Sequence, residues 1–373
     1  MTRLDQDVLI AGRFRLTREL GRGGMGSVWL AHHVALDVPC AVKFIAEASA
    51  SDAVFRNRFE REARAVARLR HPNVVQVYDT GVWEDLPYIA MELLEGEALG
   101  ERMARLGKLD LGATAAIVTQ VAAALQRAAQ LGIVHRDLKP ENIFLARQGA
   151  GETVKLLDFG IAKLHHEADR GPVTVTGAFV GTPQYMSPEH AHGGKEIDPR
   201  SDLWSLAVVT YECVTGRLPF DGTGLGEVLQ AIMSAPIPVP SAIEPALQGA
   251  FDGWWARAAA REPAERFQTA ADLAAALELV ARVPAGAPAG GAVQRAGADT
   301  VQAAAADTVQ AAAAACHRAC GHAVRRRARH CRFTQPQPGG DRGAGRGGGA
   351  AGGGSMARAA RGDTVEGGPP RRR

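Results

Sequence analysis

The chain has 373 residues, of which 46% are hydrophobic, 22% charged and 5% aromatic, with 43 glycines; this is a globular composition joined to something of lower complexity. A formal charge of +3 is too small to imply a nucleic-acid or membrane partner. Five scattered cysteines give no disulfide framework and point to a reducing compartment.

Met1 to Ile10 carries Asp5 and Asp7 and lacks the apolar core of a signal peptide. No apolar run reaches the roughly 20 residues that cross a bilayer, so the expectation is a cytoplasmic protein without a membrane span. Phe14 to Val42 reads as strands around a Gly-rich turn. Ser51 to Leu69 has helical spacing in Phe55, Phe59, Ala63, Val66 and Leu69, and the helix stops before His71-Pro72-Asn73. Val74 to Tyr78 and Pro87 to Leu93 read as strands. Beyond Gly112, helical patterns dominate, over Ala113–Leu131, Ser201–Thr215, Leu225–Ser234, Leu247–Ala260 and Thr269–Ala281. A Pro/Ala/Gly linker opens at Val283. After it come the units Asp299-Thr300-Val301 and Asp307-Thr308-Val309, poly-Gly stretches and Arg clusters. That composition predicts a disordered tail.

The chemistry is concentrated in four places. Gly21-Arg22-Gly23-Gly24-Met25-Gly26, followed by Val28, fits a loop whose bare backbone lies over phosphates and offers them amide donors. A strand-like stretch follows it, whereas a dinucleotide site requires a helix there. Lys43 sits in the apolar strand Ala41-Val42-Lys43, where a lysine needs an anion. Glu62 on the preceding helical pattern and the α- and β-phosphates of a nucleotide are the candidates. In His135-Arg136-Asp137-Leu138-Lys139-Pro140-Glu141-Asn142, Asp137 is placed to orient an acceptor hydroxyl, Lys139 to neutralise a moving phosphoryl group and Asn142 to reach Mg2+. Asp158-Phe159-Gly160, after the strand Thr153 to Leu157, supplies a second oxygen ligand for the metal. Each fragment alone has an ordinary explanation. Their joint order and spacing point to phosphoryl transfer from ATP with Mg2+, for which Mn2+ is a substitute.

Phe14 to Leu279 resembles the protein kinase family, in particular the eukaryotic-like Ser/Thr kinases of bacteria. Gly181-Thr182-Pro183-Gln184-Tyr185-Met186-Ser187-Pro188-Glu189 looks like that family's peptide-docking loop, with Ser187 where alanine is usual. Asp202 in Ser201 to Leu206 and Arg266 in Pro263 to Phe267 also match. The resemblance implies a two-lobed α+β fold. Its kinase domain covers residues 1–282, with a strand-rich N-lobe over about 14–94 and a helical C-lobe over about 95–282, and the tail occupies 283–373. It implies Met91 as gatekeeper, adenine held by backbone groups of Glu92 and Leu94, and an Arg266–Glu189 pair bracing the C-lobe. Lys139 and Thr182 accord with Ser/Thr acceptors on protein substrates. The intact set Lys43, Asp137 and Asp158 argues against a pseudokinase scaffold, and the docking loop argues against a small-molecule phosphotransferase.

Arg136 beside Asp137 is the arrangement of kinases switched by phosphorylation between Asp158 and Glu189, where Thr174 and Thr176 are the expected autophosphorylation sites, with a homodimer as the implied intermediate. Many bacterial relatives continue into a membrane helix and a sensor domain; no such pattern is read in these residues, so an external sensing role is not expected. Cys316, Cys320, His330 and Cys331 have metal-like spacing, but Thr334 stands where a closing cysteine belongs. The repeated Asp-Thr-Val units, with a third at Asp363-Thr364-Val365, read as sites for a phosphothreonine-binding partner.

Overall fold

The computed structural model describes residues 4–23, 26–45, 59, 63, 66–149, 151–159, 182–193 and 198–282. They fall within the first of two units, Met1–Ala289. Glu62, Thr174, Thr176, Gly24, Met25 and the tail readings lie outside the described residues.

The N-terminal part is a six-stranded antiparallel sheet. Its strands are β1 (Leu9–Ile10), β2 (Phe14–Gly23), β3 (Gly26–His33), β4 (Val38–Ile45), β5 (Val77–Trp83) and β6 (Leu86–Glu92), in the spatial order β1-β2-β3-β4-β6-β5. Alternation sorts its faces. Phe14, Leu16, Trp29, Ala31, Cys40, Val42, Phe44, Tyr88 and Ala90 pack together on one side. Lys43, between Val42 and Phe44, must therefore point to the other side. Phe59, Ala63, Val66 and Ala67 are helical, and Phe59, Ala63 and Val66 join the larger core, as their spacing predicts. Val74 to Gln76 departs from the strand reading. Val75 N–H bonds to Leu156 O at 3.0 Å and Leu156 N–H to Asn73 O at 2.9 Å, so this stretch crosses to a different sheet before β5 begins.

That second sheet consists of β7 (Gly96–Ala98), β8 (Ile143–Gln148) and β9 (Gly151–Leu156). Among the described residues after β6, the helices are α1 (Leu99–Leu106), α2 (Leu111–Gln130), α3 (Pro188–Ala191), α4 (Pro199–Thr215), α5 (Leu225–Ser234), α6 (Pro240–Ile243), α7 (Gln248–Ala258) and α8 (Ala270–Ala281). Asp110 starts α2 by accepting the Ala113 N–H at 2.8 Å, and Asp198 with Pro199 starts α4. From Ser201 to Thr215, α4 is buried at every residue except Glu212, which marks it as the central helix of the large core. Trp204 stacks on Phe220 at 5.7 Å between ring centroids, and Tyr211 meets Trp255 at 4.6 Å. At the end of α4, Gly216 has φ 68°, and a Cβ there would come 2.7 Å from Gly107 O, so both backbone conformation and space require glycine. None of the described helices is long and apolar enough to cross a membrane.

Arg266 ties this part together. Its side chain is fully buried, forks onto both Glu189 oxygens at 2.8 and 2.7 Å and donates to the carbonyls of Arg200, Ala260 and Arg261. Ser201 adds a 2.6 Å bond to Glu189. Burial alone would raise the Glu189 carboxyl, but the hydrogen bonds from Arg266 and Ser201 and the Arg266 charge outweigh it and hold the group at about 2, against an ordinary 4.5. Breaking such a pair by Arg266→Ala should cost about 3–5 kcal/mol, because a buried carboxylate loses its partner.

A depressed folded-state value means that the stabilisation is complete above about pH 4.5 and disappears as pH falls toward 2. Urea unfolding of wild type and Glu189→Gln should therefore give a stability gap that narrows across that window. A gap that stays constant from pH 5 to about 2 would contradict the assignment.

Candidate active site

The N-terminal sheet delivers Lys43. It lies opposite Val28 on β3 and Ile89 on β6, and its ammonium meets Asp158 Oδ2 at 2.5 Å. The sequence reading offered Glu62 or phosphates as the anion; among the described residues the partner is Asp158. At the turn into β3, Gly26 takes φ 131°, a conformation that side chains rarely adopt. Arg22 is tied back to Glu19 by a bidentate pair at 2.9 and 2.7 Å.

The segment His135 to Asn142 takes its shape from Asp202. This carboxylate, buried in the first turn of α4, accepts the His135 N–H at 2.7 Å and the Arg136 N–H at 2.9 Å. Arg136 has φ 64° and Asp158 φ 47°, both unfavourable for non-glycine residues. Two amides on one carboxylate offset the strain at Arg136. Burial pushes the Asp202 carboxyl up, opposed by these amides and the Arg136 charge. His135 is fixed from both ring nitrogens. Nε2 bonds Leu157 O at 2.9 Å and Nδ1 lies 3.3 Å from the Asp137 N–H, a pattern that requires the neutral Nε2–H tautomer. Its ring also packs 4.5 Å from Phe159.

Asp137, 9% exposed, is held from its far side. Asn142 Nδ2 donates to Asp137 O at 2.7 Å and Oδ2 at 3.2 Å, and Lys139 Nζ lies 3.2 Å from Oδ2. Because Asn142 uses its amide nitrogen here, its Oδ1 is left as a hard oxygen donor. Asp158, with one oxygen on Lys43, supplies the other. These two donors fit a divalent cation that takes its remaining ligands from phosphates and water. Among the described residues no three His, Cys, Asp or Glu side chains form a metal cage.

Residues 182–189 follow. Thr182 caps the short turn Pro183–Tyr185 without a side-chain bond. Tyr185 is pinned to α4 by its hydroxyl, 2.6 Å from Glu212, and by its carbonyl, which accepts Ser205 Oγ at 2.7 Å. Met91 and Glu92 end β6 and Leu94 follows it, with Ala41 opposite Met91. Sequence reasoning missed three things: the Asp202 clamp on the loop, the Asn73–Gln120–Val154 bonds under β9, and Lys155.

A family model described as "Protein kinase domain" matches residues 14–251. Among curated relatives, the chain is 41% identical over 279 residues to serine/threonine-protein kinase Pkn1 of Myxococcus xanthus, covering 74% of this chain and 39% of that one. It is 36% identical to serine/threonine-protein kinase PrkC of Bacillus subtilis, covering 71% and 40%. The chain thus spans about two fifths of the length of these relatives. The PknI kinase domain of Mycobacterium tuberculosis superposes with a TM-score of 0.61 at 32% identity, over 74% of this chain and all of that one.

If Asp202 holds the loop, Asp202→Asn sets an amide group against two N–H donors. Hydrogen exchange of the His135 and Arg136 amides should accelerate roughly ten- to a hundredfold, the equivalent of about 1.5–3 kcal/mol for bonds to a charged group. Unchanged exchange at both amides would show that the loop holds itself.

Proposed function

The chain belongs to the protein kinase family, and from that premise we propose that it transfers the γ-phosphoryl group of MgATP to serine or threonine hydroxyls of protein substrates. The observation that carries this reading is the convergence of Lys43–Asp158 and Asp137–Lys139–Asn142, each pair or triad connected by direct contacts of 2.5 to 3.2 Å. Lys43 positions the α- and β-phosphates and Glu62 orients Lys43. Asp158 and Asn142 hold Mg2+, with Mn2+ as a substitute; the metal, when bound, screens charge on the phosphates. Asp137 orients the acceptor hydroxyl and takes its proton. Lys139, against Asp137, meets the charge of the moving group. Adenine rests on backbone groups of Glu92 and Leu94 with Met91 behind it, and Gly21 to Gly26 with Val28 and Ala41 enclose the nucleotide.

Thr182 and Lys139 support serine or threonine acceptors, and Gly181 to Glu189 supports a peptide substrate. Thr174 and Thr176 are the proposed autophosphorylation sites, reached through a transient homodimer. The kinase domain is assigned to residues 1–282. Free, buried Cys40 and Cys213 accord with a reducing compartment, and the chain is read as cytoplasmic.

A turnover assay with MgATP and a generic protein substrate tests the assignment. Asp137→Asn should lower kcat roughly 10²–10⁴-fold, the usual contribution of a positioned proton acceptor, with the circular dichroism spectrum unchanged. Turnover that survives Asp137→Asn and Lys43→Met together would refute it.

A further inference from the structure

Lys155 lies on β9 shortly before Asp158 and is 8% exposed. Its ammonium donates to Glu92 Oε1 at 2.7 Å, and the same oxygen accepts the Gln76 N–H at 2.7 Å. The Glu92 N–H in turn donates to Gln76 O at 2.9 Å. A lysine this buried is costly unless an anion meets it, and Glu92 is that anion. The pair therefore joins the end of β6, where the adenine-binding segment begins, to the strand that carries Asp158.

A second ion pair, Lys43–Asp158, makes the same kind of connection with its charges exchanged. The six-stranded sheet contributes the cation Lys43 and the anion Glu92. The β9 segment contributes their complements, Asp158 and Lys155. On β6, Ile89 pairs in register with Lys43 and precedes Glu92; on the other chain segment Lys155 precedes Asp158. Sliding β9 one way brings Lys155 against Lys43, and sliding it the other way brings Asp158 against Glu92. Both displacements set like charges together. The exchanged pairs thus fix one spacing.

We propose that Lys155 is a positioning residue for nucleotide binding: acting through Glu92, it sets the distance between the adenine-binding segment Met91 to Leu94 and the phosphate- and metal-binding Asp158. The proposal rests on the phosphoryl-transfer reading above. A ligand that uses both ends of the site depends on this spacing, whereas a ligand that uses one end does not.

The test compares MgATP with adenosine on the full chain by titration calorimetry, for wild type, Lys155→Met and Lys155→Arg. Lys155→Met keeps the length and apolar stem of the side chain and removes its charge. It should weaken MgATP roughly tenfold, as a lost alignment between two subsites does, with adenosine affinity nearly unchanged, and Lys155→Arg should restore most of the loss. KM for ATP should rise with the dissociation constant. Equal weakening of both ligands, or a lowered melting temperature with both affinities intact, overturns the proposal and leaves Lys155 a structural residue. A wild-type chain that binds neither ligand overturns the phosphoryl-transfer reading itself.

Discussion

The carboxylate of Asp202 is the constraint on which the rest of the site depends. A buried anion is tolerated only where donors surround it, and here the donors are two successive amides of the segment that carries Asp137. The bonds work in both directions. They satisfy Asp202 inside the central helix, and they hold Arg136 at a φ of 64° that the segment would not keep alone. His135, locked between Leu157 O and the Asp137 amide, then links this loop to the residues leading to Asp158. One buried group in the most buried helix thereby helps set Asp137 and Asp158 relative to each other.

Rigidity of this kind suits the proposed reaction, which leaves little covalent chemistry for the protein to perform. Phosphoryl transfer is promoted by alignment and by charge placed in advance. Asp137 is accordingly braced by Asn142 and Lys139, and Asp158 by Lys43. The charged members that touch each other are also the members assigned to the reaction. The Arg266–Glu189 brace does similar work farther along the chain, tying α3 to the loop before α8.

Much of this was legible in the sequence. Side-chain chemistry at fixed spacing singled out Lys43, Asp137, Asn142 and Asp158, and the structure brings Lys43 to Asp158 and Asn142 to Asp137. Helical periodicity placed α5 and the C-terminal ends of α4 and α8 at their observed residues, because long apolar patterns with Pro, Asp or Gly at their ends leave little freedom. Val74 to Gln76 was misread because its β-branched residues satisfy their backbone through Leu156, an interaction between segments that local pattern does not encode. Helix α1, between the short strand β7 and α2, went unread. Lys155 looked like an ordinary charged strand residue; its role depends on a contact with Glu92, 63 positions earlier. The same holds for the clamp of Asp202 on His135, a separation of 67. Residue types announce chemistry, but the bonds that aim them are long-range.

The most direct test of the central claim is to follow the label from γ-labelled MgATP after incubation with the full chain and a peptide mixture containing Ser, Thr and Tyr acceptors. The account predicts label on serine and threonine of the peptides and on the chain itself. Label confined to tyrosine, or nucleotide bound with no transfer to any peptide, would contradict it.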